Sequence, residues 1–125
     1  MKIDILTLFP EMFNGFLNES IIKRAIDKKL VQINIHNIRD YSPFKNKQVD
    51  DYQYGGGAGM VLMCEPVFAA VEAVKTNESL VVMLTPSGKL FTENTARDFS
   101  LKPHLILLCG HYEGFDERIK SIIDT

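Results

Sequence analysis

Apolar residues follow two rhythms along this chain. Residues 3–9, 80–84 and 105–109 are short, nearly continuous apolar runs, the pattern of strands buried on both faces. Each stops abruptly: the first at Pro10, the second at Thr85-Pro86-Ser87-Gly88, the third at Gly110. Val31, Ile33 and Ile35 alternate with Gln32, Asn34 and His36, so a further strand has one wetter face. Between these runs the spacing changes to three and four. Residues 11–17 form a short helical pattern weakened by Gly15. Behind Ser20, the expected cap, Ile21, Ile22, Ala25, Ile26 and Leu30 repeat, with Lys23, Arg24, Asp27, Lys28 and Lys29 on the outer face. Pro66 suits the first turn of a helix over 66–75, where Val67, Phe68, Val71 and Val74 form an apolar stripe. Thr92 caps a helix over 91–100, and Glu93 suits its dipole. Phe115, Ile119, Ile122 and Ile123 predict a last helix over 115–123. Strands and helices therefore alternate, which predicts an α/β fold with a mainly parallel sheet and flanking helices. With four strands, one flank of the last is expected to lie bare.

Residues 39–60 fit neither rhythm. A stretch of that length without a period is usually functional or disordered. Gly55, Gly56, Gly57 and Gly59 put four glycines in five residues, able to turn backbone N–H groups toward an anion. No Lys-Ser or Lys-Thr pair follows Gly59, and the loop does not follow a strand tightly, so the P-loop and dinucleotide patterns both fail. A surface loop and a close approach to another backbone or a nucleic acid stay open. Arg39, Lys45 and Lys47, interleaved with Tyr41, Phe44, Tyr52 and Tyr54, suit the nucleic-acid option.

The totals adjust this picture. At 125 residues the chain reads as one domain with a modest core, without repeats or a linker. Its net charge of −2 means that any nucleic-acid partner is held by a local patch; taken alone it favours a small-molecule enzyme. Two cysteines, Cys64 and Cys109, lie in apolar surroundings, which argues against a disulfide scaffold or zinc site and fits a reducing, cytoplasmic setting. The amino terminus is too soon interrupted by charge for a signal peptide, and no run approaches transmembrane length.

The chemistry concentrates after two strands. Ligands of open α/β sheets bind beyond the carboxyl ends of the strands. Leu84-Thr85-Pro86-Ser87-Gly88 and Cys109-Gly110-His111-Tyr112-Glu113-Gly114 follow strands of one sheet, so their turns are expected side by side, clamping one ligand. Neither turn is rich in cations, which suits a compact, mostly apolar cofactor held by backbone groups. The two oxygens of Glu113 can accept from two adjacent donors, such as N1–H and the exocyclic amine of guanine; a solvated turn acid is the plain alternative. Asp116, Glu117 and Arg118 read as helix-start acids and an ion-pairing arginine, and His36 and His104 as structural. His111 has no second ligand at metal spacing, and there is no G-x-S-x-G elbow.

Five segments then stand in one order: Leu8-Phe9-Pro10-Glu11-Met12-Phe13; Arg39-Asp40-Tyr41; Val49-Asp50-Asp51 running into Tyr54-Gly55-Gly56-Gly57-Ala58-Gly59-Met60; Leu84 to Gly88; and Cys109-Gly110-His111-Tyr112-Glu113-Gly114-Phe115-Asp116-Glu117-Arg118. Together they resemble the bacterial tRNA (guanine-N1)-methyltransferase family, TrmD, of the SPOUT class. The resemblance implies a parallel α/β sheet with a trefoil knot, a rare exception to ordinary connection rules. It implies methyl transfer from S-adenosyl-L-methionine to N1 of the guanine 3′ of the tRNA anticodon, by a homodimer with each active site at the subunit interface. By the same resemblance, Leu84, Thr85, Pro86, Gly110, Tyr112 and Gly114 bind the cofactor. Glu113 grips the guanine, and Gly59 and Tyr54 lie on the substrate loop. The family's Ile-Gly-Asp-Tyr-Val-Leu-type knot segment, the arginine and aspartate assigned to methyl transfer and the tRNA-gripping helical domain have no match within residues 1–125. The implied reading is the amino-terminal part of a SPOUT domain, with its catalytic residues beyond Thr125 and little activity alone. The alternative is a non-catalytic nucleotide-binding or RNA-docking α/β module.

Overall fold

The computed structural model describes residues 1–52, 59–110 and 114–125. In chain order its elements are β1 (Lys2–Thr7), α1 (Asn14–Leu17), α2 (Ser20–Asp27), β2 (Gln32–Asn37), β3 (Asp50–Tyr52), β4 (Met60–Leu62), α3 (Cys64–Val74), β5 (Ser79–Leu84), α4 (Glu93–Ser100), β6 (His104–Cys109) and β7 (Gly114–Phe115). Short 3₁₀ segments stand at Pro10–Phe13, Ile38–Tyr41, Lys45–Lys47 and Glu117–Ile122.

Four strands form the expected parallel sheet, in the order β2-β1-β6-β5. The order corrects one expectation. The last long strand is not bare on a flank: β6 lies between β1 and β5, which is why its side chains are apolar on both faces. The edge belongs to β5 instead, and the end of the chain runs along it. The N–H groups of Asp124 and Thr125 donate to the Val81 carbonyl at 2.9 and 3.2 Å, and the Thr125 carbonyl accepts from Met83 N–H at 3.0 Å. The Asp124 carboxylate accepts from Val81 N–H at 2.7 Å.

One face of the sheet packs Leu6, Val81, Ile106 and Leu108 against Val67, Ala70 and Val71 of α3, with Ile38, Val49, Leu62 and Ile119 completing the core. The spacing of three and four on α3 brings those side chains onto one stripe. This helix starts two residues before Pro66, at Cys64.

Three local expectations change. Ser20 is not the cap of α2: Glu19 holds the extended cap position without a side-chain bond, and Ser20 opens the helix at φ 52°. Thr92 does cap α4, accepting from Thr95 N–H at 3.2 Å while the Thr95 hydroxyl accepts from Thr92 N–H at 3.4 Å. The predicted last helix is a short strand followed by a 3₁₀ segment. Phe115 is committed to pairing with Leu62, Asp116 N–H bonds to the Leu62 carbonyl at 2.9 Å, and by Ile123 the backbone is extended again. Only six residues remain between those ties, and they wind tightly. Within 39–60, β3 pairs antiparallel with β4, and β4 pairs parallel with β7, making a second sheet of three strands. Strands of two or three residues are too short to show a period.

Candidate active site

The site follows from the register of two neighbouring strands. β5 and β6 pair from Ser79 with His104 to Leu84 with Cys109, so both chains leave the sheet at the same edge. The turn after β5 braces itself: Gly88 N–H donates to the Thr85 carbonyl at 3.2 Å, and the Thr85 and Ser87 hydroxyls are 3.2 Å apart. A Cβ on Gly88 would stand 3.3 Å from the Thr85 methyl, so glycine suits the tight return of this turn.

Leu84, Thr85, Pro86, Gly110, Gly114 and Phe115 line one cleft of about 350 Å³. Five of these are residues the sequence pointed to, and the structure brings them together at the ends of β5 and β6. Phe115 was not expected there, nor were Leu62 and Met83, which also line the cleft. Met83 is the β5 residue before Leu84, while Leu62 and Phe115 enter as partners in the β4–β7 pair, a connection too short to read from a pattern. Gly110 is exposed, and a Cβ there would meet nothing within 4 Å. Packing therefore does not require glycine at this position; a side chain would take up space in the cleft. On the other side of the Thr85–Pro86 turn, a hollow of about 730 Å³ opens between α4 and the Glu117–Ile122 segment, with Leu90, Phe91 and Thr125 on its walls.

Gly59 sits two residues before Val61, the register partner of Gly114. Its φ of 84° is left-handed backbone, which favours glycine. Tyr54, Tyr112 and Glu113 lie outside the described residues.

The titratable groups that the described residues place near the cleft are engaged or buried. Asp116 is bound by Arg118, with Nη2 at 2.6 Å and Nε at 3.1 Å, and these bonds hold its carboxyl below the usual carboxylate range. The same pairing raises the Arg118 guanidinium further, and Glu65 lies 3.6 Å from it. A carboxylate tied this way is a poor proton acceptor, in keeping with a structural reading of Asp116. Burial pushes the Cys109 and Cys64 thiols up, so neither is a ready nucleophile. Among the described residues, no three His, Cys, Asp or Glu side chains converge as a metal site. No helix among them is long and apolar enough to cross a membrane.

The family described as tRNA (Guanine-1)-methyltransferase TrmD matches the chain over residues 1–125. The chain belongs to this family. The tRNA (guanine-N(1)-)-methyltransferase of Dictyoglomus turgidum is 54% identical over 123 residues, covering 98% of this chain and 50% of the relative. That of Staphylococcus carnosus is 55% identical over 126 residues, covering 100% of this chain and 51% of the relative. The chain thus spans about half the length of these curated relatives. The crystal structure of tRNA (m1G37) methyltransferase from Aquifex aeolicus matches with a TM-score of 0.89 at 34% identity, over 100% of this chain and 57% of that one. The α/β architecture of this TrmD-family chain is therefore shared with a solved relative.

Proposed function

We propose that this chain forms one wall of the active site of an S-adenosyl-L-methionine-dependent methyltransferase that modifies N1 of the guanine 3′ of the tRNA anticodon. The observation that carries this reading is the cleft that Leu84, Thr85, Pro86, Gly110 and Gly114 share at the ends of β5 and β6 in a TrmD-family sheet. When bound, S-adenosyl-L-methionine supplies an electrophilic methyl on a sulfonium. Leu84, Thr85, Pro86, Gly110, Tyr112 and Gly114 would hold it. The fit is supported by chemistry: the described turns hold apolar side chains, hydroxyls and bare backbone, with no cation to repel a sulfonium. Their main contribution is position, which carries much of the catalysis of an in-line displacement.

Guanine must also be turned out of its stack and must lose the N1 proton to a general base. Glu113 is proposed to grip the guanine edge, with Tyr54 and Gly59 on the substrate loop. Asp116 is occupied by Arg118, so the base is assigned to the part of the relatives that this chain does not span, as are the knot and the tRNA-gripping domain. The cytoplasm is the proposed setting and tRNA the macromolecular partner. A homodimer with the site at its interface is part of the same proposal; Phe9, Met12 and Phe16, exposed by 46, 70 and 45% within eight residues, support self-association.

Calorimetric titration of the 125-residue chain with S-adenosyl-L-methionine, ATP and NAD tests the cofactor. Binding of the first alone is expected, and Gly110→Val is expected to weaken it at least about tenfold by filling the cleft. Binding of ATP or NAD without S-adenosyl-L-methionine overturns the reading in favour of another nucleotide-binding module. In a full-length relative, Glu113→Gln is expected to abolish guanine methylation while tRNA binding persists; loss of neither counts against the role of Glu113.

A further inference from the structure

A row of polar side chains crosses the sheet, from the first residues of β5 and β6 through β1 to the carboxyl-terminal half of β2. Asp4 on β1 is its centre and is 1% exposed. One carboxylate oxygen lies 2.6 Å from His104 Nε2, and the other 2.7 Å from His36 Nε2. The far nitrogen of each ring meets a hydroxyl: His104 Nδ1 lies 2.6 Å from Ser79 Oγ, and His36 Nδ1 lies 3.3 Å from Tyr41 OH. Asn34 donates to Asp4 at 3.2 Å, and Lys2 Nζ stands 3.9 Å away. The row joins all four strands of the parallel sheet and ends on the Ile38–Tyr41 turn.

Ser79, His104 and Asp4 have the composition of a hydrolytic triad, yet Ser79 Oγ already accepts from Thr76 N–H at 2.8 Å. Ser79 also lines neither of the two hollows beside the Thr85–Pro86 turn. The row lacks the open nucleophile that such chemistry requires.

Its logic runs outward from the charge. An ionised carboxylate only accepts hydrogen bonds. Each imidazole must therefore present Nε2–H to Asp4, which leaves Nδ1 of the neutral ring as an acceptor. Nδ1 of His36 can then accept a hydrogen bond from the Tyr41 hydroxyl. Tyr41 closes the turn that carries Arg39. Arg39 is half-buried and makes no ion pair with a described residue, while its N–H is held by Asn37 Oδ1 at 3.0 Å. A fixed turn that presents an arginine with no ion pair to a described residue suits an anionic partner.

We propose that Asp4, acting through His36 and Tyr41, is a positioning residue for the Arg39 turn and sets how that arginine meets RNA phosphate. This rests on tRNA as the proposed partner and on the nucleic-acid reading of Arg39, Lys45 and Lys47 with their interleaved aromatics. The test uses the 15N-labelled chain at neutral pH, by long-range imidazole NMR and amide exchange, together with titration of a tRNA anticodon stem-loop. His36 and His104 are expected as Nε2–H forms. Tyr41→Phe should leave the His104 signals in place and shift those of His36. It should also speed exchange of the Ser42 amide, bonded to the Arg39 carbonyl, by about fivefold, the size of one lost hydrogen bond. Stem-loop affinity should fall by a similar factor. An Nδ1–H form at His36, or unchanged Ser42 exchange in Tyr41→Phe, overturns the relay. Absence of stem-loop binding by the unsubstituted chain, with the relay signals as expected, overturns the RNA-facing reading and leaves the relay standing. Asp4→Asn adds a second arm where it folds, and Tyr41→Phe decides the matter where it does not.

Discussion

Asp4 shows how one residue can depend on its neighbours for its charge. Burial works to raise its pKa. The bonds from His36, His104 and Asn34 and the charge on Lys2 more than offset that, so the carboxyl is held below its ordinary value. A depressed folded-state pKa stabilises the fold above the unfolded value of about 3.9 and loses that contribution as pH falls through the folded one. Asp4→Asn is therefore expected to cost about 3 kcal/mol at pH 7. The gap from the unsubstituted chain should narrow below about pH 4, as urea denaturation across pH would show; a gap of constant size at pH 3 and pH 7 would refute the assignment. Gly59 makes the opposite kind of demand, on backbone rather than charge. Its φ of 84° predicts that Gly59→Ala destabilises by about 1 kcal/mol, measurable by thermal unfolding.

At the scale of elements, the long ones follow their sequence rhythms and the short ones follow their neighbours. α4 begins at Thr92 because its side chain satisfies an amide that the helix leaves orphaned. Thr92→Ala is expected to lower stability by about 1 kcal/mol, with the change in helix content checked by circular dichroism and the loss by denaturant titration. An unchanged midpoint would mean that the cap bond is replaced by water at no cost. The 115–123 stretch has helical apolar spacing but lies between a strand pair at Phe115 and the β5 edge at Asp124. Those ties leave Ile119 buried, as its spacing demands, in a 3₁₀ segment instead of an α-helix.

For the whole molecule, the sheet order sets where surfaces can act. Placing β6 beside β5 puts both turns on one edge, and the buried Asp4 row lies toward the other end of the same strands. The exposed apolar residues after β1 are the surface that the proposed homodimer would bury. Phe16→Glu is expected to shift the chain from dimer toward monomer in sedimentation velocity runs at micromolar concentration. A monomer before substitution, or a dimer unaffected by it, would count against that surface.

Periodicity and strand-ending residues were enough to determine the α/β class, the four long strands, the turn at 84–88 and the end of β6 before Gly110. Burial imposes those patterns locally, and proline and glycine interrupt them. The family was legible from five motifs in order, because it is carried by residue identities along the chain and needs no knowledge of which elements are neighbours. What only the tertiary structure decided was adjacency: which strand lies inside, which runs at the edge, and that Leu62 and Phe115 share a cleft with Thr85 and Gly110. His36 and His104 looked merely structural in sequence; that both meet one buried carboxylate, 100 residues from His104 in the chain, depends on strand order. Parallel neighbours are chosen by packing across the sheet, and no spacing along the chain encodes that choice.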